Sequence, residues 1–516
     1  MSLFKCDDST IVSTKKGKLQ GYFYDGVYVF KGVHYAEADR FMQPKEVESW
    51  EGIKDATSYG MVCNLMHQDN PQGELYVPHA YWPMDEHCQN LNIWTTKLDE
   101  GCKKPVMVWL HGGGFSAGSA IEQLAYEGDE MAKKGDVVVV NVNHRLNILG
   151  YLDLEPFGEK YKNSGNCGNA DLVAALKWVH ENIEAFGGDP ENVTIFGQSG
   201  GGMKVTSLMQ TPEADGLFHK AIVMSGVLDE GFMGNNQGGG KRIVSEILSV
   251  LGLEKKDVEK LETLPYPELV AAYETAVKNI DDPAVYKGQC PIVNDYYLGE
   301  PHIVGFTENA KKIPMMIGTV MGEFAFMPLP FNKTKLSEEE ITEKIREKFK
   351  EYTDDLIAEY KKAYPGKNLA DILALDFIFR TPTMKLIAEA SKRSEAPTYS
   401  YMFAFEFPVQ NGKIAWHCSD IPFVFHNISR VPSANVEGVS DKLQEQVFSA
   451  VMSFAKTGNP NNDKIPTWEA SKENDEATFI YDTECECRHN FDHELIRIGR
   501  EAFFKYGQFA FGNVQH

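Results

Sequence analysis

Residues 192–202 read NVTIFGQSGGG. An apolar run of strand length stops at Phe196, and Ser199 follows among four glycines. The segment GQSGG (197–201) matches G-x-S-x-G. In that pattern a strand ends abruptly and a helix begins at once, so the serine at the apex is forced into a strained backbone conformation that lifts its hydroxyl above the sheet edge. The residues two positions to either side must be small, because strand and helix nearly touch there. The same letters also describe an ordinary glycine-rich turn, so the flanks decide. NVTIF supplies the strand, and GGMKVTSLMQTP (201–212) supplies a helix closed by Pro212.

Outward from the elbow, PVMVWLH (105–111) and DVVVVNVNH (136–144) are continuous apolar runs. Such runs suit strands covered on both faces, as in a parallel sheet. Residues 169–188 carry helical spacing and stop at Gly187 and Gly188, ahead of Asp-Pro. KAIVMSG (220–226) and IPMMIGT (313–319) are further strands. The alternation over 105–226 predicts an α/β fold: a large, mostly parallel central sheet flanked by helices. Upstream, GKLQGYFYDGVYVFKGVHYA (17–36) alternates in the manner of antiparallel strands. Charged helical stretches at about 231–300 and 335–395 read as insertions on a single domain spanning 1–516. Within the second, SEEEITEKIREKFKE (337–351) predicts a solvated helix face with i,i+4 ion pairs.

A serine hydroxyl needs an imidazole to take its proton, and the imidazole needs a carboxylate. In this kind of fold the chain order is Ser, then Asp or Glu, then His. Glu323 lies just past the strand in IPMMIGTVMGEFAF (313–326), where Gly318 and Gly322 let the chain turn. His417 sits in the loop GKIAWHCSDIPFVF (412–425), after the strand YSYMFAFEF (399–407), with His426 as the nearest rival. His219 follows the serine too soon and reads as structural. HGGGF (111–115), at the end of an apolar strand, can converge backbone N–H groups on one point, as an oxyanion hole requires. QGGGKR (237–242) is not a P-loop, and no G-x-G-x-x-G opens a βαβ unit.

The 516 residues are 43% hydrophobic and 24% charged, and the formal net charge of -23 repels phosphate backbones and anionic lipid. Neither a nucleic-acid nor a membrane partner is expected, and no apolar run has the length of a membrane span. The opening MSLFKCDDSTIVSTKKGKLQGYFYDG has no apolar signal core, so a cytoplasmic location is expected. Nine scattered cysteines do not form a disulfide framework, and Cys485–Cys487 lacks zinc-site spacing, so no metal or cofactor is expected.

Together these motifs resemble the type-B carboxylesterases, the cholinesterase-like branch of the α/β-hydrolases. The chain is most similar to the bacterial para-nitrobenzyl-esterase-type enzymes. The resemblance runs nearly the whole length, through DEHCQNLNIW (85–94), PVMVWLHGGGFSAGS, VVVVNVNHRLNILGYL, FGGDPENVTIFGQSGG and SFAKTGNPN (453–461). It implies a serine ester hydrolase acting on a small-molecule ester through an acyl-enzyme. Ser199 would be nucleophile, Glu323 acid and His417 base, with the amides of Gly113, Gly114 and Gly200 as oxyanion hole. Ser225 would support the acid by a hydrogen bond, and Arg145 would be structural. Cys63 and Cys88 match a pair that is disulfide-bonded in secreted relatives; here free thiols are expected. Relatives usually carry Ala where this chain has Gly200, and Gly202 has no evident role. The alternatives are an inactive cholinesterase-like binding protein, or an amidase, thioesterase or lipase on the same triad. These motifs encode neither the substrate nor the oligomeric state.

Overall fold

The computed structural model describes residues 3–67, 76–229, 232, 234–326, 328–393 and 395–506. Twelve strands form the main sheet. In chain order they are β1 (Phe4–Lys5), β2 (Tyr22–Tyr24), β3 (Val27–His34), β4 (Asn90–Thr95), β5 (Lys104–Leu110), β6 (Val138–Val142), β7 (Gly188–Gln198), β8 (Lys220–Met224), β9 (Met315–Val320), β10 (Thr398–Phe403), β11 (Ala477–Tyr481) and β12 (Glu486–His489). Across the sheet the order is β1-β2-β3-β4-β6-β5-β7-β8-β9-β10-β11-β12. The stretch from β6 to β11 is parallel. The pairs at the two margins are antiparallel.

The continuous apolar strands are buried on both faces. Val106, Val108 and Leu110 of β5 pack on one side with α1 (Cys167–Asn182) and α2 (Gly200–Met209). Met107 and Trp109 point the other way, into a core shared with residues 443–455. Each such side chain contributes about 1.5–3 kcal/mol through burial. The first insertion is helical only in part. α3 (Lys241–Val250) and α4 (Tyr266–Asn279) pack on each other through Ile243, Ile247, Leu269 and Tyr273. Residues 280–300 then run without a helix, interrupted by Pro283, Gly288, Pro291 and Gly299. The second insertion carries α5 (Glu338–Phe349), α6 (Thr353–Ala363) and α7 (Arg380–Ser391). A Ser337–Glu340 capping box starts α5, and Ile341, Ile345 and Phe349 turn inward. Its ion pairs run i,i+3 (Arg346–Glu343) and across to α6 (Lys361–Glu338, Arg346–Asp354), in place of the expected i,i+4 spacing.

Two features position the site. From β5 the chain passes to β6 on one side, then returns across β5 to β7 on the other. That reversal opens a crevice at the carboxyl ends of β5 and β7, where α/β sheets bind ligands. Leu110, the last residue of β5, pairs with Gly197, so the loops that follow both strands start side by side. Secondly, Arg145, in the loop after β6, is fully buried and forks onto Asp171 of α1, Nε–Oδ2 at 2.8 Å and Nη2–Oδ1 at 2.7 Å. Its Nη1 donates to the carbonyls of Asp39 and Met42 and ties the N-terminal segment to the sheet. Among the described residues no helix is long and apolar enough to cross a membrane.

Candidate active site

Ser199 stands between β7 and α2 with φ +57° and ψ −126°. That conformation is strained for a residue with a Cβ and costs about 1–3 kcal/mol. The fold holds it from both sides: Ser199 N donates to Met224 O at 2.8 Å, and its carbonyl accepts Met203 N at 3.1 Å. The glycines around it are spatial requirements. A Cβ on Gly197 would lie 2.4 Å from the Gly201 carbonyl carbon, and one on Gly201 would lie 2.0 Å from Leu110 O. Gly202 acquires a role here, because its Cβ would meet Gly226 Cα at 2.8 Å. It lets the first turn of α2 press onto the chain leaving β8.

Glu323 is fully buried in the turn after β9. Its Oε1 accepts Val320 N at 3.0 Å, and its Oε2 lies 2.5 Å from His417 Nδ1. The backbones meet as well, with His417 N donating to Glu323 O at 3.1 Å and Gly322 N to Ala415 O at 3.0 Å. The acid and histidine loops are therefore zipped together. His426 is occupied elsewhere, with Nε2 2.7 Å from Glu445 Oε1, and His219 Nδ1 accepts Val193 N. The Gln198 amide nitrogen lies 3.3 Å from both ring nitrogens of His417, across the ring and adjacent to the serine. Among the described residues no hydrogen bond joins Ser199 Oγ to His417; such contacts often tighten only when substrate is bound. Phe379 and Phe326 flank the imidazole at centroid distances of 5.2 and 6.3 Å.

Gly113 and Gly114 both take positive φ, +83° and +60°. A Cβ on Gly200 would fall 2.3 Å from both Gly114 N and Gly114 O, so the glycine loop sits directly against the start of α2. The three glycines expected to form the oxyanion hole are thus together. Ser225 departs from expectation. Its N–H donates to Gly318 O, but its buried Oγ makes no hydrogen bond among the described residues. The hydrogen bond it was expected to give Glu323 is not made; the Val320 amide serves that carboxylate instead. Against Met203 of α2 and Gly226 a pocket of about 80 Å³ opens, lined also by Phe115, Leu228, Cys290 and Ile303 among others.

The carboxylesterase family profile matches residues 8–497. This chain belongs to the carboxylesterase family. It is 34% identical to the para-nitrobenzyl esterase of Bacillus subtilis (strain 168), over 92% of this chain and 95% of that protein. Its structure superposes on that of an esterase from anaerobic Clostridium hathewayi with a TM-score of 0.94 at 55% identity, covering 97% and 99% of the two chains. The carboxylesterase of Geobacillus stearothermophilus gives a TM-score of 0.71 at 32% identity, covering 95% and 99%. These likenesses make the chain a serine-hydrolase enzyme on an α/β-hydrolase scaffold.

Sequence reasoning missed several residues here. Gln198 occupies a variable position of the motif, and nothing in the pattern marks it. Asp376 and Asp420 are buried near Glu323, and burial together with its charge pushes each carboxyl up to about 7. Cys63 and Cys88, by contrast, are free thiols as expected, both buried, and burial raises the Cys88 thiol well above its usual range. Lys204 is fully buried, although a lysine on a predicted helix reads as solvent-facing.

Proposed function

We propose that Ser199, His417 and Glu323 carry carboxylic-ester hydrolysis through an acyl-enzyme. His417 takes the Ser199 proton as Oγ attacks the ester carbonyl, and Glu323 holds the ring and balances its positive charge. The oxyanion sits on the amides of Gly113, Gly114 and Gly200, each donor contributing roughly 3–4 kcal/mol in the transition state. The alcohol leaves with the proton from His417, and water then releases the acid by the same steps in reverse roles. One observation carries the reading: half-buried His417, paired with buried Glu323, is held against Gln198, next to a serine in a strained turn.

We further read the substrate as a small ester with an aromatic portion. The Clostridium hathewayi relative can hydrolyse aliphatic aromatic polyesters. In this chain Phe324, Phe326 and Phe379 cluster at His417. The test has two arms. Ser199→Ala should abolish turnover of a chromogenic ester and labelling by a fluorophosphonate; undiminished turnover ends the reading. A panel of matched benzoate and aliphatic esters, amides and thioesters should rank aromatic esters first. Preference for an amide or thioester overturns the ester assignment, and preference for aliphatic esters overturns the aromatic one.

A further inference from the structure

Lys204 lies on α2, five residues after Ser199, between Met203 and Val205, with no exposed surface. Its Nζ donates to two backbone carbonyls of the glycine loop, His111 O at 2.8 Å and Gly112 O at 3.4 Å. The Gly112 carbonyl is held a second time, by His111 Nδ1 at 2.9 Å. A carbonyl only accepts, so His111 carries its proton on Nδ1. No peptide bond among the described residues is cis. In a trans peptide the carbonyl oxygen and the following N–H point in opposite directions. Drawing Gly112 O down towards α2 therefore aims Gly113 N–H away from it, towards the crevice beside Ser199. A cation on the carbonyl side also polarises the peptide, so the N–H beyond it donates more strongly.

The surroundings make this charge unusual. Burial pulls the Lys204 ammonium down to about 7, against the attraction of Glu122 and Cys63. On its other side stand the buried rings of His111 and His144, 5.1 Å apart. Burial, with the Lys204 charge adding to it, keeps both well below the usual imidazole range. A methyl-tipped side chain would fill the space without the desolvation cost that a lone buried ammonium carries. The residue's position under the loop gives that cost a use.

We propose that Lys204 is a positioning residue for the oxyanion hole: its ammonium pins the carbonyls of His111 and Gly112 and polarises the Gly112–Gly113 peptide, so that the Gly113 amide meets the developing oxyanion correctly aimed. The proposal rests on the esterase reading of Ser199. The experiment compares wild type, Lys204→Met and Lys204→Gln, with active sites counted by fluorophosphonate labelling run to completion. Complete loss of one oxyanion donor costs about 10²–10³ in kcat. A mis-aimed, unpolarised donor should cost roughly 10- to 100-fold, with KM for a nitrophenyl ester within about threefold of wild type. The Ki of a trifluoromethyl ketone, which forms the same tetrahedral oxyanion on Ser199, should rise in parallel. A purely structural role would lower Tm and leave kcat per titrated site unchanged, and that result overturns the proposal. If Lys204→Met does not fold, Lys204→Gln keeps a donor and loses only the charge; wild-type kcat there overturns it equally. Failure of the esterase reading shows up separately, as wild type that does not label and Ser199→Ala that is as active as wild type.

Discussion

Replacing Gly200 by alanine puts the oxyanion geometry to a direct test. Relatives usually carry Ala at this position, so resemblance alone predicts a silent change. The structure predicts otherwise. The added Cβ would sit 2.3 Å from both N and O of Gly114 and 2.4 Å from its Cα. Ordinary contact needs about 3.4 Å, so the two segments must separate by about 1 Å. The start of α2 cannot easily yield, because Ser199 N is bonded to Met224 O and the Gly197 and Gly201 backbones already touch. The loop must move instead, against the bonds from Ser116 N and Ala117 N to Gly113 O and from Lys204 to His111 O. Oxyanion donors act only within about 2.7–3.1 Å, so a 1 Å displacement removes at least one and costs about 10²–10³ in kcat. Overpacking should cost a further 1–3 kcal/mol of stability, roughly. The assay is kcat and KM on a nitrophenyl ester, per titrated site, beside a thermal melt. Gly200→Ala with wild-type kcat and wild-type Tm would refute the close approach of loop to helix on which the argument depends.

Glu323→Gln keeps a hydrogen-bonding side chain at His417 and loses the charge that balances the imidazolium; kcat should fall on the order of 10⁴-fold with the fold intact, checked by circular dichroism and active-site titration. Arg145→Met leaves Asp171 buried without its partner and should destabilise by about 3–5 kcal/mol in urea unfolding, with normal kcat in the folded fraction. The pH dependence of stability reports on Asp420. Its carboxyl is raised from 3.8 to about 7, by burial first and Glu323 second. The native state therefore holds a proton that the unfolded chain has released, and this group's contribution is full below about pH 4 and is lost as pH rises through 7. The loss is at most on the order of 4 kcal/mol. Asp420→Asn can still accept the Tyr401 hydroxyl, and its Tm should vary less between pH 5 and 8 than that of wild type; an equal or steeper slope refutes the assignment.

The parts legible in sequence are those that the sheet itself imposes. Parallel strands covered on both faces must be continuously apolar, so β5 to β9 could be read from their composition. A strand that turns at once into a helix must carry small residues around its apex, so Ser199 was marked by Gly197 and Gly201. Glu323 and His417 were picked out from chain order and from lying just past strands, and the structure brings their side chains together. The parts that were not legible depend on contacts between loops. Nothing local tells that Gln198 crosses the His417 ring, or that Asp376 and Asp420, some forty residues apart in the chain, gather behind Glu323. Lys204 was hidden for a different reason. A lysine on a predicted helix reads as solvent-facing, yet every residue of α2 is buried, because the helix is clamped between the sheet and its neighbours.

These hidden groups share one physical pattern. The carboxyls of Glu323, Asp376 and Asp420 stand behind the imidazole, while the only charged side chain of α2, Lys204, stands beneath the glycine loop. Asp376 and Asp420, pushed up to about 7, hold their protons below that pH, so in the proposed mechanism Glu323 supplies the negative charge that faces the imidazolium, and protonated Lys204 the positive charge on the oxyanion side. Glu323 and Lys204 are both buried, where a charge acts through a low dielectric and needs no reorganisation as the transition state forms. The desolvation cost of each is met once, on folding. In the proposed mechanism the triad and the glycine amides supply the chemistry, and Lys204 adds to the field in which it runs. Neutralising either side should then lower kcat more than it raises KM, and Lys204→Met combined with Glu323→Gln should lose close to the product of the two single effects, because the two charges act on different ends of the same separated pair.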